Sequence, residues 1–309
     1  LHPMCGEAPN FKVPQLLLQF LDSISNWASD ADLQLIFDNH TFDPSVNTDP
    51  SVEEALTKVW PQIAYHFRGR DEHVHFEVLN EPHGIGMTLW NAIQGRVIDA
   101  IRAVDMSRSI IVGAANWNTY HDLQSLPDYD DPNLIYTFHF YDPFLLTHQG
   151  ATWVEPSMDQ VRGIPFPYSA TEMPEMPDQY AGTWIASHYE SYPEEGTAER
   201  ISELLDIAVA FQQERNVPLF CGEFGVYQPF SDPDDRNAWY EIVRIKLEEH
   251  QIGWTMWDYH GGFGIFTPGG QGLFDHDLNI PLVEALGLTA PPQSPFEIRP
   301  DETGFVIYD

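Results

Sequence analysis

The sequence predicts an α/β fold of the TIM-type (β/α) barrel class, in which parallel strands alternate with covering helices. Short apolar runs alternate with segments of helical period at roughly regular spacing along the chain. Each apolar run also leads into a polar or aromatic residue. That arrangement is typical of barrels whose functional groups stand at the carboxyl ends of the strands.

The chain of 309 residues is long enough to bury one barrel-sized core, and we expect a single domain over residues 1–309. An irregular lead-in occupies residues 1–14, and a proline-rich tail occupies residues 288–309. No run of about 18 apolar residues occurs, so no membrane-spanning segment is expected. The first residue is Leu1 rather than methionine, and no signal-peptide pattern follows it.

The chain is strongly acidic: 47 Asp and Glu residues against 14 Lys and Arg residues give a net charge of −33. Nucleic acids and anionic membranes are poor partners for such a surface. Salt screens self-repulsion, because the Debye length falls from about 10 Å at 0.1 M to about 3 Å at 1 M. One hypothesis is therefore that the protein works in, or tolerates, high salt. The alternative is the ordinary acidity of many secreted proteins.

Strands are predicted from short apolar runs, and helices from apolar residues three or four positions apart. The predicted strands are 33–37, 74–79, 110–114, 134–140, 219–222 and 252–257. The predicted helices are 16–27, 49–66, 88–104, 197–213, 235–250 and 281–286. A long connection over 144–196 is rich in Pro, Gly, Trp and Tyr, and loops of that length are usually functional. Only six strands are recognisable, whereas a closed barrel of this type uses eight.

Two of the strands lead directly to a carboxylate. The run that begins at His75 stops at Asn80-Glu81-Pro82, because proline cannot donate to a strand ladder. The run that begins at Val217 ends in the same way at Glu223. Cleavage of a glycosidic bond needs one carboxyl group as proton donor and a second as partner for the sugar cation. The pair therefore predicts glycoside hydrolysis.

Other strand ends also carry polar or aromatic side chains, and so many coincidences favour a functional site over simple capping. The full set is His40, Asn80, Glu81, Trp117, His139, Tyr141, Glu223 and Trp257. Flat aromatic rings suit the apolar faces of glucose units. The candidate subsite walls are Trp117, Trp153, Trp184 and Trp257. For Trp153 and Trp184, packing within the loop is an open alternative, and Trp254 is expected in the core.

In this order, the motifs resemble glycoside hydrolase family 5, the large family of cellulases and mannanases. The residues that carry the resemblance are Asn80-Glu81-Pro82, His139, Tyr141, Gly222-Glu223-Phe224-Gly225 and Trp257. It extends from about residue 16 to residue 286. It implies a retaining endo-β-1,4-glucanase that works outside the cell on a polysaccharide, with no cofactor and no metal. A β-mannanase or another β-glycanase of the family is the alternative.

The resemblance also implies a role for each site residue. Glu81 would be the acid/base and Glu223 the nucleophile, while Asn80 would hydrogen-bond the sugar 2-hydroxyl. The remaining residues would surround the carboxyl groups: Tyr141 touching the nucleophile, His139 near the acid/base, His40 after the third strand, and Trp257 as a platform under the sugar.

The sequence departs from the family pattern at its start. In the family His40 would end the third strand, so the recognisable strands correspond to the third to eighth and the first two are not visible. The arginine that the family places against the nucleophile is also not found, since no arginine precedes Arg68. Three explanations stay open: a longer protein, a partner subunit that completes the barrel in a homo-oligomer, or the tail 296–308 in the gap.

Two further alternatives concern function. His73 and His75, with His83 nearby, resemble the pair that opens a metal site in amidohydrolase barrels. The first two start their strand, however, and that barrel face is associated with stability. A carbohydrate-binding protein without full catalytic power is the other alternative, if the absent strands abolish catalysis. The acidic stretch 232–235 is read as a helix start rather than as a calcium loop.

Overall fold

The structure of the protein is a computed structural model, which describes residues 4–40, 46–69, 72–295, 298–300 and 306–308. The chain forms two compact units. The first contains Leu1–Phe140 and Leu205–Gly222, and the second contains Tyr141–Leu204 and Glu223–Asp309. The predicted organisation as one catalytic domain stays a prediction.

Helices and strands alternate through most of the described chain. The α-helices are α1 (Gln15–Asp30), α2 (Val52–Phe67), α3 (Met87–Arg102), α4 (Phe144–Thr147), α5 (Trp184–Glu195), α6 (Ala198–Arg215), α7 (Pro233–Glu249) and α8 (Ile280–Ala285). The strands are β1 (Leu35–Asp38), β2 (Val74–Glu77), β3 (Ile110–Gly113), β4 (Leu134–Phe140), β5 (Leu219–Phe224), β6 (Gly253–Trp254), β7 (Ile298–Pro300) and β8 (Val306–Tyr308).

All six strands predicted from the sequence are present, and they form one sheet in the order β1-β2-β3-β4-β5-β6. Strand β6 has only two residues and is shorter than predicted. The prediction of an irregular connection over 144–196 was wrong in part, because it contains α4 and α5. Helix α5 buries Ile185 and Tyr192, which lie seven residues apart on one face. Its Pro193 stands in the last turn, where it hid the helical spacing in the sequence.

In the first unit the strands β1 to β4 pair in parallel. The register places Asp38 beside Glu77, and Ile111 beside Ile135. Parallel neighbours need a crossover connection, which α2 supplies between β1 and β2 and α3 supplies between β2 and β3. Because the strands run parallel, their carboxyl ends meet at one edge of the sheet.

Two fully buried tryptophans hold the helices of the first unit to these strand ends. Nε1 of Trp60 in α2 donates to the carbonyl oxygen of Val78 at 3.0 Å. Nε1 of Trp90 in α3 donates to the carbonyl oxygen of Gly113 at 2.9 Å. A buried indole needs such a partner, and here the partner is the backbone just before the functional residues.

The second unit contains α7, whose start is the acidic stretch noted in the sequence. The Asp232 side chain accepts hydrogen bonds from the backbone N–H groups of Asp234 and Asp235, which identifies it as the N-cap. The antiparallel pair of β7 and β8 lies in the tail. Residues 296–297, 301–305 and 309 of that tail lie outside the described residues, so the expectation that the tail fills a gap in the barrel stays a prediction.

Candidate active site

Glu81 lies just beyond the carboxyl end of β2, at a sharp bend of the backbone. Its φ angle of 40° is in the left-handed region, which is uncommon for residues other than glycine and recurs at functional sites. Nδ1 of His139 lies 2.7 Å from Oε1 of Glu81. The two side chains are 3% and 14% exposed, respectively. The imidazole therefore orients a carboxyl group that keeps one edge open to solvent.

Asn80 and His40 form a second contact beside this carboxyl group. Nδ2 of Asn80 lies 3.4 Å from Nε2 of His40. Nδ1 of His40 lies 2.8 Å from Oδ2 of Asp38, at the end of β1. If Asp38 accepts the Nδ1–H, Nε2 of the neutral ring accepts from Asn80. Sequence reasoning missed Asp38, although its position two residues before His40, on the same strand face, was the available signal.

Trp117 is brought beside the Glu81 bend by an unusual turn after β3. Asn116, Trp117 and Asn118 have φ angles of 68°, 62° and 51°. The N–H of Trp117 donates to the carbonyl oxygen of Pro82 at 3.1 Å. The indole packs edge-on against His83 with ring centroids 4.2 Å apart. The half-buried indole therefore lies near the chain segment that follows Glu81.

The histidines of the metal-site alternative have separate partners. Nε2 of His73 lies 3.0 Å from the carbonyl oxygen of Ser25, and Nε2 of His75 lies 2.9 Å from Oε1 of Gln34. Nδ1 of His83 lies 2.9 Å from the carbonyl oxygen of Glu81. The three rings therefore contact three different parts of the chain. This geometry does not favour a shared metal site for the three rings.

Gly222 of β5 packs directly against His139. A Cβ atom at Gly222 would lie 2.8 Å from Oγ1 of Thr137 and 3.1 Å from Nε2 of His139. Contacts this short leave no room for a side chain, so glycine allows β5 to approach the imidazole closely. Glu223 follows Gly222 in the chain and is the next residue of the same strand.

In the second unit, Tyr141 contacts Glu223. The Tyr141 hydroxyl donates to Oε2 of Glu223 at 2.8 Å, and both residues are half-buried. The carbonyl oxygen of Tyr141 accepts a hydrogen bond of 2.5 Å from Oγ1 of Thr147 in α4. The backbone and the hydroxyl of Tyr141 are thus both held, so its phenol is a preorganised donor to the carboxylate.

Behind Tyr141 lies a cluster of aromatic rings centred on His148. The imidazole stacks on Phe144 at 3.9 Å between centroids and meets the Tyr141 ring edge-on at 5.1 Å. Burial lowers the pKa of His148 to about 3, so the ring is neutral at ordinary pH. Its Nδ1 lies 3.0 Å from Oγ1 of Thr147. No motif or strand end contains His148, so it was not singled out as a candidate residue.

The remaining tryptophans differ in exposure and in contacts. Trp257 is 36% exposed, and its N–H donates to the carbonyl oxygen of Phe224 at 3.0 Å. Trp153 is 41% exposed and lies edge-on to Tyr227 at 4.8 Å. Nε1 of Trp184 donates to a loop carbonyl at 3.0 Å. Trp254 is only half-buried and packs edge-on against Phe224.

Comparison with known proteins gives a family and several relatives. A family model described as cellulase (glycosyl hydrolase family 5) matches residues 2–262. The chain is 30% identical to Endoglucanase C of Acetivibrio thermocellus over 261 residues, covering 78% of this chain and 72% of that protein. It is 29% identical to Endoglucanase 3 of Fibrobacter succinogenes over 267 residues, covering 82% of this chain and 40% of that protein. The chain thus spans less than half the length of the Fibrobacter relative.

Solved structures show the same likeness. An endoglucanase from Thermotoga maritima has a TM-score of 0.75 at 26% identity, covering 92% of this chain and 82% of that chain. The same values hold for its structures with cellobiose and with mannotriose. These similarities confirm the (β/α) barrel type that the alternation of strands and helices predicted.

Proposed function

Since the chain belongs to glycoside hydrolase family 5, and so is a glycoside hydrolase, we propose that it is a retaining endo-β-1,4-glucanase. In this proposal Glu223 is the nucleophile and Glu81 is the acid/base. The family membership rests on a model that matches most of the chain. The roles of the two carboxyl groups rest on their contacts and on the chemistry of the reaction.

The observation that carries the proposal is that two nearby residues of one chain segment bind the two carboxyl groups. His139 contacts Glu81, and Tyr141 donates to Glu223. Positions two apart in an extended segment point to the same side, with Cα atoms at most about 7 Å apart. We therefore propose that both carboxyl groups face one cleft, at the spacing of about 5–5.5 Å that retaining hydrolysis requires.

The proposed reaction has two steps. In the first, a Glu223 oxygen attacks the anomeric carbon as the bond from that carbon to the leaving oxygen breaks, and Glu81 gives its proton to that oxygen. In the second, Glu81 takes a proton from a water molecule that attacks the same carbon, and Glu223 leaves as a carboxylate. The sugar keeps its anomeric configuration, because the carbon is inverted twice.

The neighbouring side chains support these steps. The Tyr141 hydroxyl holds Glu223 in position to attack, and a donor of this kind favours the ionised carboxylate. The His139 ring holds Glu81 towards the leaving oxygen. Asn80, oriented by His40, would bond the sugar 2-hydroxyl. Trp257 would lie under the sugar next to the cleaved bond, and Trp117 would form a further wall.

A β-1,4-glucan is the proposed substrate, because the relatives are named endoglucanases. The solved Thermotoga endoglucanase was determined with both cellobiose and mannotriose, so a β-mannan is the second candidate. Assays on carboxymethyl-cellulose, lichenan and galactomannan under identical conditions separate these substrates. A chain that releases no reducing sugar from any of them, yet binds glucan, would support the carbohydrate-binding alternative.

The nucleophile is tested by Glu223→Gln, which should abolish turnover while leaving the melting temperature close to that of the wild type. Glu249→Gln is a matched control, because Glu249 is an exposed glutamate of α7. Retention of a tenth of the wild-type rate by Glu223→Gln would contradict the assignment. A 2-deoxy-2-fluoro glycoside with a good leaving group should attach covalently to the peptide that contains Glu223.

The acid/base is tested by Glu81→Gln. Polysaccharide hydrolysis should fall steeply, because the leaving oxygen of a sugar needs a proton. An aryl cellobioside whose leaving group needs no proton should still react with Glu223 in the first step. Equal loss on both substrates would show that Glu81 has another role.

A polysaccharide substrate implies work outside the cell, and we propose an extracellular protein. Among the described residues, no helix combines the length and the apolar character that crossing a membrane requires. Secretion is tested by locating the activity in culture supernatant and in cell lysate of the native host.

We also propose that a second copy completes the barrel. In the sheet, β1 has β2 as its one neighbour among the described strands. Helix α1 buries Leu17 and Leu21 on one face but leaves Leu16, Phe20 and Trp27 exposed on another. Exposed apolar faces of this kind favour association. Light scattering that shows a stable, fully active monomer would contradict this proposal.

A further inference from the structure

The segment after Glu223 and the residue Trp257 approach each other unusually closely. Besides the bond from Trp257 N–H to the carbonyl oxygen of Phe224, Gly225 lies against the Trp257 backbone. A Cβ atom at Gly225 would lie 2.5 Å from the carbonyl oxygen of Trp257. No real Cβ contact is that short, so only glycine allows this approach.

Tyr240 of α7 hydrogen-bonds both the segment after Glu223 and the backbone of Trp257. Its buried hydroxyl accepts the N–H of Val226 at 3.1 Å. The same oxygen lies 3.5 Å from the carbonyl oxygens of Trp257 and of Phe263, so its one proton is shared between them. Burial raises the pKa of Tyr240, which keeps the proton on the phenol. One hydroxyl therefore connects the chain after Glu223 with the chain around Trp257.

Arg236 stands one turn earlier on the same face of α7 and repeats this pattern. Its side chain is buried, with the residue only 2% exposed. Nε donates to the carbonyl oxygen of Val226 at 3.0 Å. Nη2 donates to the carbonyl oxygens of Phe263 and Gly264 at 2.6 Å and 3.0 Å. A buried guanidinium is costly to desolvate, and here its donors fix backbone positions rather than form a surface ion pair.

We propose that Gly225, Arg236 and Tyr240 form a clamp that sets the position of the Trp257 platform relative to the nucleophile Glu223. All three residues are buried, so we assign them as positioning residues that act through Trp257. This inference rests on the proposed function, because it takes Trp257 as the sugar platform and Glu223 as the nucleophile. A displacement of about 1 Å between reacting groups costs about 100-fold in rate, so the clamp determines efficiency.

The clamp is tested by a double-mutant cycle between Tyr240→Phe and Trp257→Ala, with kcat and KM measured on cellotetraose. Tyr240→Phe removes one oxygen and keeps the ring, so the fold should survive. We expect a loss of about 10-fold in kcat/KM from Tyr240→Phe alone, and less than about 2-fold when Trp257 is already alanine. Equal losses in both backgrounds would overturn the clamp.

Tyr192→Phe is the matched control. Tyr192 is another fully buried tyrosine of the second unit, and its hydroxyl donates to the carbonyl oxygen of Pro165 at 2.8 Å. Its loss should lower the melting temperature without coupling to Trp257. If Tyr192→Phe couples to Trp257→Ala as strongly as Tyr240→Phe does, the loss of kcat/KM reflects general stability, and the clamp proposal is contradicted.

Substitutions at the other two clamp residues, Gly225 and Arg236, test the close approach of the backbone and the hydrogen bonds to its carbonyl oxygens. Gly225→Ala places a methyl group against the Trp257 carbonyl and should lower kcat/KM more than Gly86→Ala, where no atom lies within 4 Å of the added carbon. Arg236→Lys keeps the charge but cannot bond three carbonyls as a fork does, so it should not rescue the activity lost in Arg236→Met. Full rescue by lysine would contradict the clamp.

A readout without turnover separates the clamp from the proposed function. The difference in fluorescence between a protein and its Trp257→Phe variant isolates the Trp257 indole. Acrylamide should quench this emission more strongly in Tyr240→Phe, because the released indole becomes more accessible. Unchanged quenching in a folded Tyr240→Phe protein would overturn the clamp. A wild-type protein without activity on any β-glycan would instead contradict the proposed function.

Discussion

Nδ1 of His139 and Oε1 of Glu81 lie 2.7 Å apart although the residues are 58 positions apart in the sequence. The imidazole is almost entirely buried and the carboxyl group keeps a small exposed edge. The contact with His139 thereby holds the Glu81 carboxyl group in one orientation. This contact determines where the proposed acid/base can deliver its proton.

Replacing His139 by alanine should lower kcat/KM for glucan by about 100-fold, because a general acid that loses its orientation loses most of its contribution. The measurement is initial rate on carboxymethyl-cellulose, with the melting temperature recorded in parallel. His121→Gln is the control, since His121 is exposed. Activity within about 3-fold of the wild type, an effect far below the usual contribution of a general acid, would show that the contact has no catalytic consequence.

Gly222→Ala tests the same imidazole from the opposite side. The added methyl group would meet Oγ1 of Thr137 and Nε2 of His139, so we expect His139 to shift and the activity to fall about 10-fold or more. Gly86→Ala is the matched substitution, because open space surrounds that position. If both variants keep full activity, β5 has more freedom at Gly222 than the contacts indicate.

Tyr141→Phe removes the hydroxyl that donates to Glu223. A hydrogen bond to a charged group contributes about 1.5–3 kcal/mol, so kcat/KM should fall about 10- to 150-fold. The control is Tyr136→Phe, which removes a hydroxyl that donates to the Pro127 carbonyl oxygen at 3.1 Å. Equal activity of Tyr141→Phe and Tyr136→Phe would indicate that Glu223 does not depend on the Tyr141 hydroxyl.

Stability should depend on pH through His148. Its pKa is lowered by burial to about 3 in the folded protein, whereas an unfolded chain has the ordinary value of about 6.5. Between these values the unfolded chain binds the extra proton. The free energy of unfolding is therefore unaffected above about pH 6.5 and falls below it, by about 1.4 kcal/mol per pH unit from this residue.

Urea unfolding of the wild type and of His148→Gln between pH 4.5 and 8 measures this effect. The variant should show a shallower decline below pH 6.5. Thr147→Val is the control, because it removes the Thr147 hydroxyl beside Nδ1 but keeps the titrating ring and hence the slope. Parallel curves for the wild type and His148→Gln would exclude His148 as the source.

The net charge of −33 predicts that salt stabilises the fold. Self-repulsion opposes the compact state, and it is screened as the Debye length shortens from about 10 Å at 0.1 M to about 3 Å at 1 M. The melting temperature should rise over this range of NaCl. Sucrose at equal osmolality is the control, because it does not screen charge. A melting temperature and activity that fall steadily on adding salt would end the hypothesis of salt tolerance.

Much of the fold could be predicted from local patterns. The six strands were visible as apolar runs, and the N-cap role of the acidic stretch before α7 followed from helix chemistry. The helices α4 and α5 were missed, because prolines and aromatic residues mask helical spacing in that segment. Strand β6 was overestimated, because an apolar sequence does not fix where backbone pairing stops.

Several features of the candidate site were not predicted from the sequence. Asp38 was not singled out, although it lies against His40. His148 was not noticed at all, because a buried histidine inside a loop matches no motif. The contacts of Arg236 and Tyr240 join α7 to loops that begin elsewhere in the chain. Such bonds depend on how distant segments pack, and the spacing of residues along the sequence carries no information about that packing.

Composition and local pattern were enough to establish the order of strands and helices, the acidic charge and the two carboxylates at strand ends, because none of these depends on how distant segments pack. The folded structure was needed to show which side chain orients which carboxyl group, where glycine is required and how Trp257 is held. Those properties depend on distances between residues far apart in the chain, and packing alone sets these distances.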